Sequence, residues 1–95
     1  MHKLAWRKVA LDDLLKIVVY IAADNPRAAQ NLKDEIEAKA ELARQRPTLY
    51  KVGRVKGTRE LVISAHYLLV YRVVDDLVEV LRVLHTARQW PPKKP

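Results

Sequence analysis

Residues 57–90 read GTRELVISAHYLLVYRVVDDLVEVLRVLHTARQW, and their pattern decides the fold. Thr58 to Ala65 alternates as a strand does: Leu61, Ile63 and Ala65 fall on one face, and Glu60, Val62 and Ser64 on the other. Tyr67 to Val74 and Leu77 to His85 follow, both rich in β-branched and aromatic residues. Asp75-Asp76 between them suits a two-residue turn. A turn of that length fixes a register in which Val74 opposes Leu77, Arg72 opposes Glu79 and His66 opposes His85. The match of Arg72 with Glu79 is an independent check, because opposite charges are favourable across strands. One face then holds His66, Leu68, Val70 and Arg72 with Glu79, Leu81, Val83 and His85. The other holds Tyr67, Leu69, Tyr71 and Val73 with Val78, Val80, Arg82 and Leu84. Both faces are largely apolar, so each calls for a cover.

The sequence before this stretch supplies one cover. Lys3 to Trp6 is a short first strand. From Arg7 to Asp24, Val9, Ala10, Leu14, Ile17, Val18 and Ile21 recur at helical spacing. Asn25-Pro26 punctuates: Asn25 caps a second helix, and Pro26 suits its first position because the missing N–H is not needed there. That helix runs to about Arg46 on a stripe of Ala28, Ala29, Leu32, Ile36, Ala40 and Ala43. Its alanines allow close packing as a helical hairpin. The order β-α-α-β-β-β predicts a single α+β domain over residues 1–95, a two-helix hairpin packed on a mostly antiparallel sheet. Prolines at 91, 92 and 95 exclude a terminal helix, so residues 91–95 form a frayed tail. The second face is left to that tail or to a partner.

Ninety-five residues with no Cys allow neither a disulfide framework nor a thiol nucleophile. No apolar run suits a signal peptide or a membrane span, which leads us to expect a cytoplasmic protein. The formal charge is +7, unevenly spread: +2 over residues 1–47 and +5 over residues 48–95. Lys51, Arg54, Lys56 and Arg59 follow one another with no acid between them. They read either as a solvated loop or as a site for an anionic partner. Arg82 stands in an apolar strand and needs either the sheet edge or a carboxylate, unless it serves a partner. Arg72 with Glu79 is a structural pair. His66 and His85 lack the Cys or carboxylate company of a metal site, so neither metal nor cofactor is expected. Trp90 after Arg88 packs over the sheet end or stacks on a ligand.

The ordered set DNP-AA in the helical turn, GTREL, YLLVYRV and EVLRVLHTARQWP resembles the ParE/RelE superfamily of type II toxin–antitoxin toxins, nearer its ParE branch. The likeness runs from the first helix through Pro91. It implies the same fold and a small basic toxin neutralised by a cognate antitoxin, whose C-terminal segment wraps it, with a toxin dimer possible inside the complex. It also implies one of two activities. ParE-like members poison DNA gyrase by stabilising its cleaved complex with DNA. RelE-like members cut mRNA on the ribosome. For the first, Lys51, Arg54, Lys56, Arg59, Arg82, Arg88 and Trp90 are the candidates for target or antitoxin binding, and no catalytic residue is expected. For the second, Arg59, Arg82, His85 and Arg88 would carry the chemistry: cations for the phosphorane charge and a His for proton exchange. RelE-like nucleases usually carry further basic and Tyr or His groups on a C-terminal extension, and the end of this sequence at Trp90-Pro91-Pro92, with only Lys93, Lys94 and Pro95 beyond, favours the first activity. A DNA-binding regulator is a weaker alternative, since no helix-turn-helix is visible.

Overall fold

A computed structural model describes residues 2–87 and 90–91. Strand β1 (Lys3–Trp6) leads into helices α1 (Lys8–Ala22) and α2 (Pro26–Gln45). Strands β2 (Lys51–Val52), β3 (Arg59–Val62), β4 (Tyr67–Val74) and β5 (Leu77–His85) follow. They form one sheet in the order β1-β5-β4-β3-β2. β1 runs parallel to β5, and every other pairing is antiparallel. This is the expected α+β architecture.

Both helices lie on one face of the sheet. Asn25 accepts the Ala28 N–H at 3.0 Å and Pro26 occupies the first turn, so α2 starts where the punctuation places it. Its small residues Ala40 and Ala43 and its Ile36 are fully buried. They pack with Ala10 and Leu14 of α1 on Leu61, Ile63, Leu69, Tyr71, Val78, Val80 and Val83 of the sheet. α1 is shorter than Arg7 to Asp24 would make it, because Arg7 remains extended as its N-cap. Val9 is exposed rather than core. β3 ends at Val62, short of Ala65, because Ile63 and Ser64 both turn their N–H groups to the Tyr67 carbonyl.

The β4–β5 register holds at the turn and fails further up. Val74 pairs with Leu77 and Arg72 with Glu79, but a bulge between Val70 and Tyr71 absorbs an extra residue on β5. Tyr71 pairs with Val80, and Val70 already with Arg82, leaving Leu81 as the extra residue. His85 therefore pairs with Tyr67, not His66. Beyond the bulge the β5 side chains exchange faces. Val83 and His85 join the helix side, and Leu84 and Arg82 join the open side, against the simple alternation. At the turn itself, Asp75 adopts a left-handed φ of 54°, which Asp tolerates better than most residues.

On the open face, Leu68, Val70, Leu81 and Leu84 are buried together, with Trp90 packed over them. The chain's own C-terminal segment is thus one cover of the second apolar face.

Candidate binding surfaces

Arg82 is answered by a carboxylate, and it is Asp13. Arg82 donates from Nε at 2.7 Å and from Nη2 at 3.0 Å to the two Asp13 oxygens. Asp13 also accepts the Val83 N–H at 3.0 Å. The position explains the contact. β1 pairs with β5 only as far as Trp6 and Val80, after which the chain turns into α1 and the β5 edge is open. Asp13 then serves an edge N–H that no strand can reach. The fork holds the Arg82 guanidinium strongly protonated, the hydrogen bonds and charge of Asp13 outweighing its burial. Sequence reasoning missed Asp13. A signal was present: Asp13 sits between Ala10, Leu14 and Ile17 on the helix's buried face, where an acid needs a cationic partner. Arg82 also lies 5.9 Å from the Trp90 ring centroid, within cation–π range.

The basic run divides. Arg54 binds Glu60 through its backbone N–H, Nε and Nη2, at 2.9–3.2 Å. Burial pushes the Glu60 carboxyl up, but the Arg54 hydrogen bonds and the charges of Arg54 and Lys51 outweigh it and hold the group below the usual carboxylate range. Arg59 lies on the helix side, opposite Tyr71, and donates to the carbonyls of Tyr50 at 2.8 Å and Thr48 at 3.3 Å. The Tyr71 hydroxyl donates to the Pro47 carbonyl at 2.6 Å. Tyr71 and Arg59 together tie down the segment leaving α2. Burial pushes the Tyr71 phenol up to about 12, against the charge of Arg59. Lys51 and Lys56 are exposed. The loop between them closes tightly: Gly53 donates to the Thr58 carbonyl, and a Cβ there would meet the Thr58 hydroxyl at 2.3 Å. Gly57 takes a φ of 82°.

Arg72 donates to Glu79 at 2.7 Å, as the register requires, and Arg7 approaches the same oxygen at 3.6 Å. His66 and His85 stack with ring centroids 5.8 Å apart although they are not paired in the sheet, and Tyr67 meets His85 edge-on. His85 Nδ1 accepts the Ala87 N–H at 3.0 Å. Arg59 pairs with Tyr71 and His85 with Tyr67, at positions four residues apart along β4. The two therefore stand roughly 13 Å apart along the strand. Arg88 lies outside the described residues. Among the described residues no group of three or more His or acidic side chains could hold a metal ion. No described helix is long and apolar enough to cross a membrane.

A second surface lies on the outside of α1. Leu11, Leu15 and Val19 are 49%, 61% and 59% exposed at four-residue spacing. Leu11, Leu15, Leu14 and Val18 line a shallow groove against Lys33 of α2. An apolar stripe of this kind is characteristic of a protein partner's seat.

The fold and these surfaces describe a small basic α+β chain with an apolar helix stripe and Arg–Glu pairs on its sheet. Residues 4–90 match the family described as the ParE toxin of the type II toxin–antitoxin system parDE. The chain is 37% identical over 90 residues to Y4kP of Sinorhizobium fredii, a candidate toxin, spanning 94% of this chain and 93% of that one. It is 33% identical over 88 residues to toxin RelE2 of Caulobacter vibrioides, spanning 93% and 99%. A solved chromosomal ParDE system from P. aeruginosa has the same fold, with a TM-score of 0.81 at 21% identity over 90% of this chain and 96% of that one. A YoeB/ParE toxin from Agrobacterium tumefaciens gives a TM-score of 0.62 at 20% identity over 87% and 97%. The chain belongs to the ParE toxin family of type II toxin–antitoxin systems.

Proposed function

We propose that the chain acts in the cytoplasm as a gyrase poison, binding the enzyme's cleaved complex with DNA and holding it in that state. The observation that carries this over mRNA cleavage is the Asp13–Arg82 fork. A cation that stabilises a phosphorane needs unused donors aimed at the phosphate. Arg82 instead spends two donors on Asp13, is only 17% exposed, and lies 5.9 Å from the Trp90 ring centroid. Arg59 spends its described bonds on two backbone carbonyls, and His85 stands well away from it along the sheet. Such a scatter suits binding better than acid–base chemistry on one bond. A cognate antitoxin would neutralise the chain, with an amphipathic segment covering Leu11, Leu15 and Val19 as it folds onto them.

Purified chain added to gyrase, supercoiled DNA and ATP should accumulate linear, protein-linked DNA, and the antitoxin should prevent it. Codon-positioned mRNA cleavage on translating ribosomes, lost in His85→Ala, would replace this reading with the ribonuclease one. Expression without the antitoxin should arrest growth; unaffected growth would remove both.

A further inference from the structure

The strand register distributes charge unequally between the two faces of the sheet. Lys51 pairs with Glu60 and Glu60 with Val70, so Lys51 shares the open face with Val70. Arg72 lies two residues along β4 on the same face. Lys3 pairs with Leu77, which has the parity of Glu79, and Arg7 joins them at Glu79. Arg54 arrives through Glu60. Five cations therefore gather on this face around two carboxylates, Glu60 and Glu79, with Arg82 already taken by Asp13. The turn acids Asp75 and Asp76 bound the patch at one end. Arg7, Arg54 and Arg72 have side chains 46%, 51% and 43% exposed, so their ion pairs orient them without covering them.

Lys3 and Lys51 stand on the two outermost strands, four strand spacings apart. Across the strands that is roughly 19 Å. Lys3 is level with Val74 and Lys51 with Val70, roughly 13 Å along the strands, so the diagonal is about 23 Å. At 3.4 Å per base pair such a track meets about seven pairs of duplex. The two Arg–Glu arrangements hold planar donors between these lysines, and planar forks match phosphate oxygens.

We propose that the open face of the sheet binds the phosphate backbone of duplex DNA. This rests on the reading of a DNA-bound target and gives the toxin its own hold on the DNA within that complex. The contact is to phosphates, so it carries no base preference and depends steeply on salt.

The test is fluorescence anisotropy of a labelled 20-base-pair duplex with the purified full chain, from about 50 to 300 mM KCl. Five phosphate contacts predict a slope of log K against log salt near −4.5, on the order of −0.9 per contact. The double variant Lys3→Gln, Lys51→Gln should flatten the slope by about two and weaken binding at every salt concentration. The helix-layer double variant Arg27→Gln, Lys39→Gln removes the same net charge from α2 and should leave the slope unchanged. Equal loss in both variants overturns the surface. So does absence of binding at 50 mM KCl, or tighter binding of single-stranded RNA by the same residues. Cleaved DNA trapped with gyrase by a chain that does not bind duplex alone keeps the proposed function and overturns this surface. Duplex binding through Lys3 and Lys51 without any effect on gyrase does the reverse.

Discussion

The two faces of the sheet come from the same strands but treat polar groups in opposite ways. On the helix face, the polar groups of Asp13, Tyr71 and Arg59 are consumed. Asp13 is closed by Arg82 and the Val83 N–H, Tyr71 by Pro47, and Arg59 by Thr48 and Tyr50. On the open face, Arg82 apart, the cations of the ion pairs remain accessible, although the Glu60 carboxylate that holds Arg54 is itself buried. The difference teaches where stability and recognition reside. A buried pair cannot be broken without stranding a charge, whereas an exposed pair can exchange its partner for a ligand.

The largest effect should come from stranding Arg82. Asp13→Ala should cost about 3–5 kcal/mol in urea denaturation, because it strands a guanidinium only 17% exposed and leaves an unserved N–H. The double variant Asp13→Ala, Arg82→Met should recover most of this loss. If the double is as unstable as the single, the pair's charge is not the cause.

Tyr71 supplies the next effect through pH. Its phenol is raised to about 12 in the fold from an ordinary value near 10. The folded state thus binds more protons than the unfolded one between those values. Its stabilisation is complete below pH 10 and is lost as pH rises to 12, by roughly 2–3 kcal/mol. Tyr71→Phe should remove that alkaline decline and also cost about 1–2 kcal/mol at neutral pH, through the orphaned Pro47 carbonyl.

Glu60 gives the open face its own titration, of opposite sign. Its carboxyl is held low by Arg54, so its contribution is present above the ordinary carboxylate range and fades as pH falls through its lowered value. Glu60→Gln should flatten the acid limb of the stability curve. An unchanged limb would show that the Arg54 fork contributes nothing.

The smallest change belongs to Arg72 and Glu79. Arg72→Ala should cost under about 1 kcal/mol, since the pair is partly solvated. A loss as large as that of Asp13→Ala would erase the distinction between the faces.

The element order, the Asn25-Pro26 cap, the turn at Asp75-Asp76 and the pairing of Arg72 with Glu79 were all legible in the sequence. Each depends on neighbours along the chain or across one turn. The bulge was not legible, because Leu81 is apolar and suits either face, so no residue in the pattern protests when the parity changes. That single residue carries His85 away from His66 in the pairing and moves Arg82 to the open side.

The sequence by itself determined a basic α+β domain with two apolar sheet faces and one helical cover, because periodicity and turn chemistry are local. Only the tertiary structure decided which groups those faces consume. Asp13 and Arg82 are 69 residues apart. They meet because β1 ends at Trp6 and leaves the β5 edge open beside α1. No local pattern encodes where one strand stops beside another. The same holds for the charged face: Lys3, Lys51 and Arg72 are unrelated along the chain and are gathered only by the register of five strands.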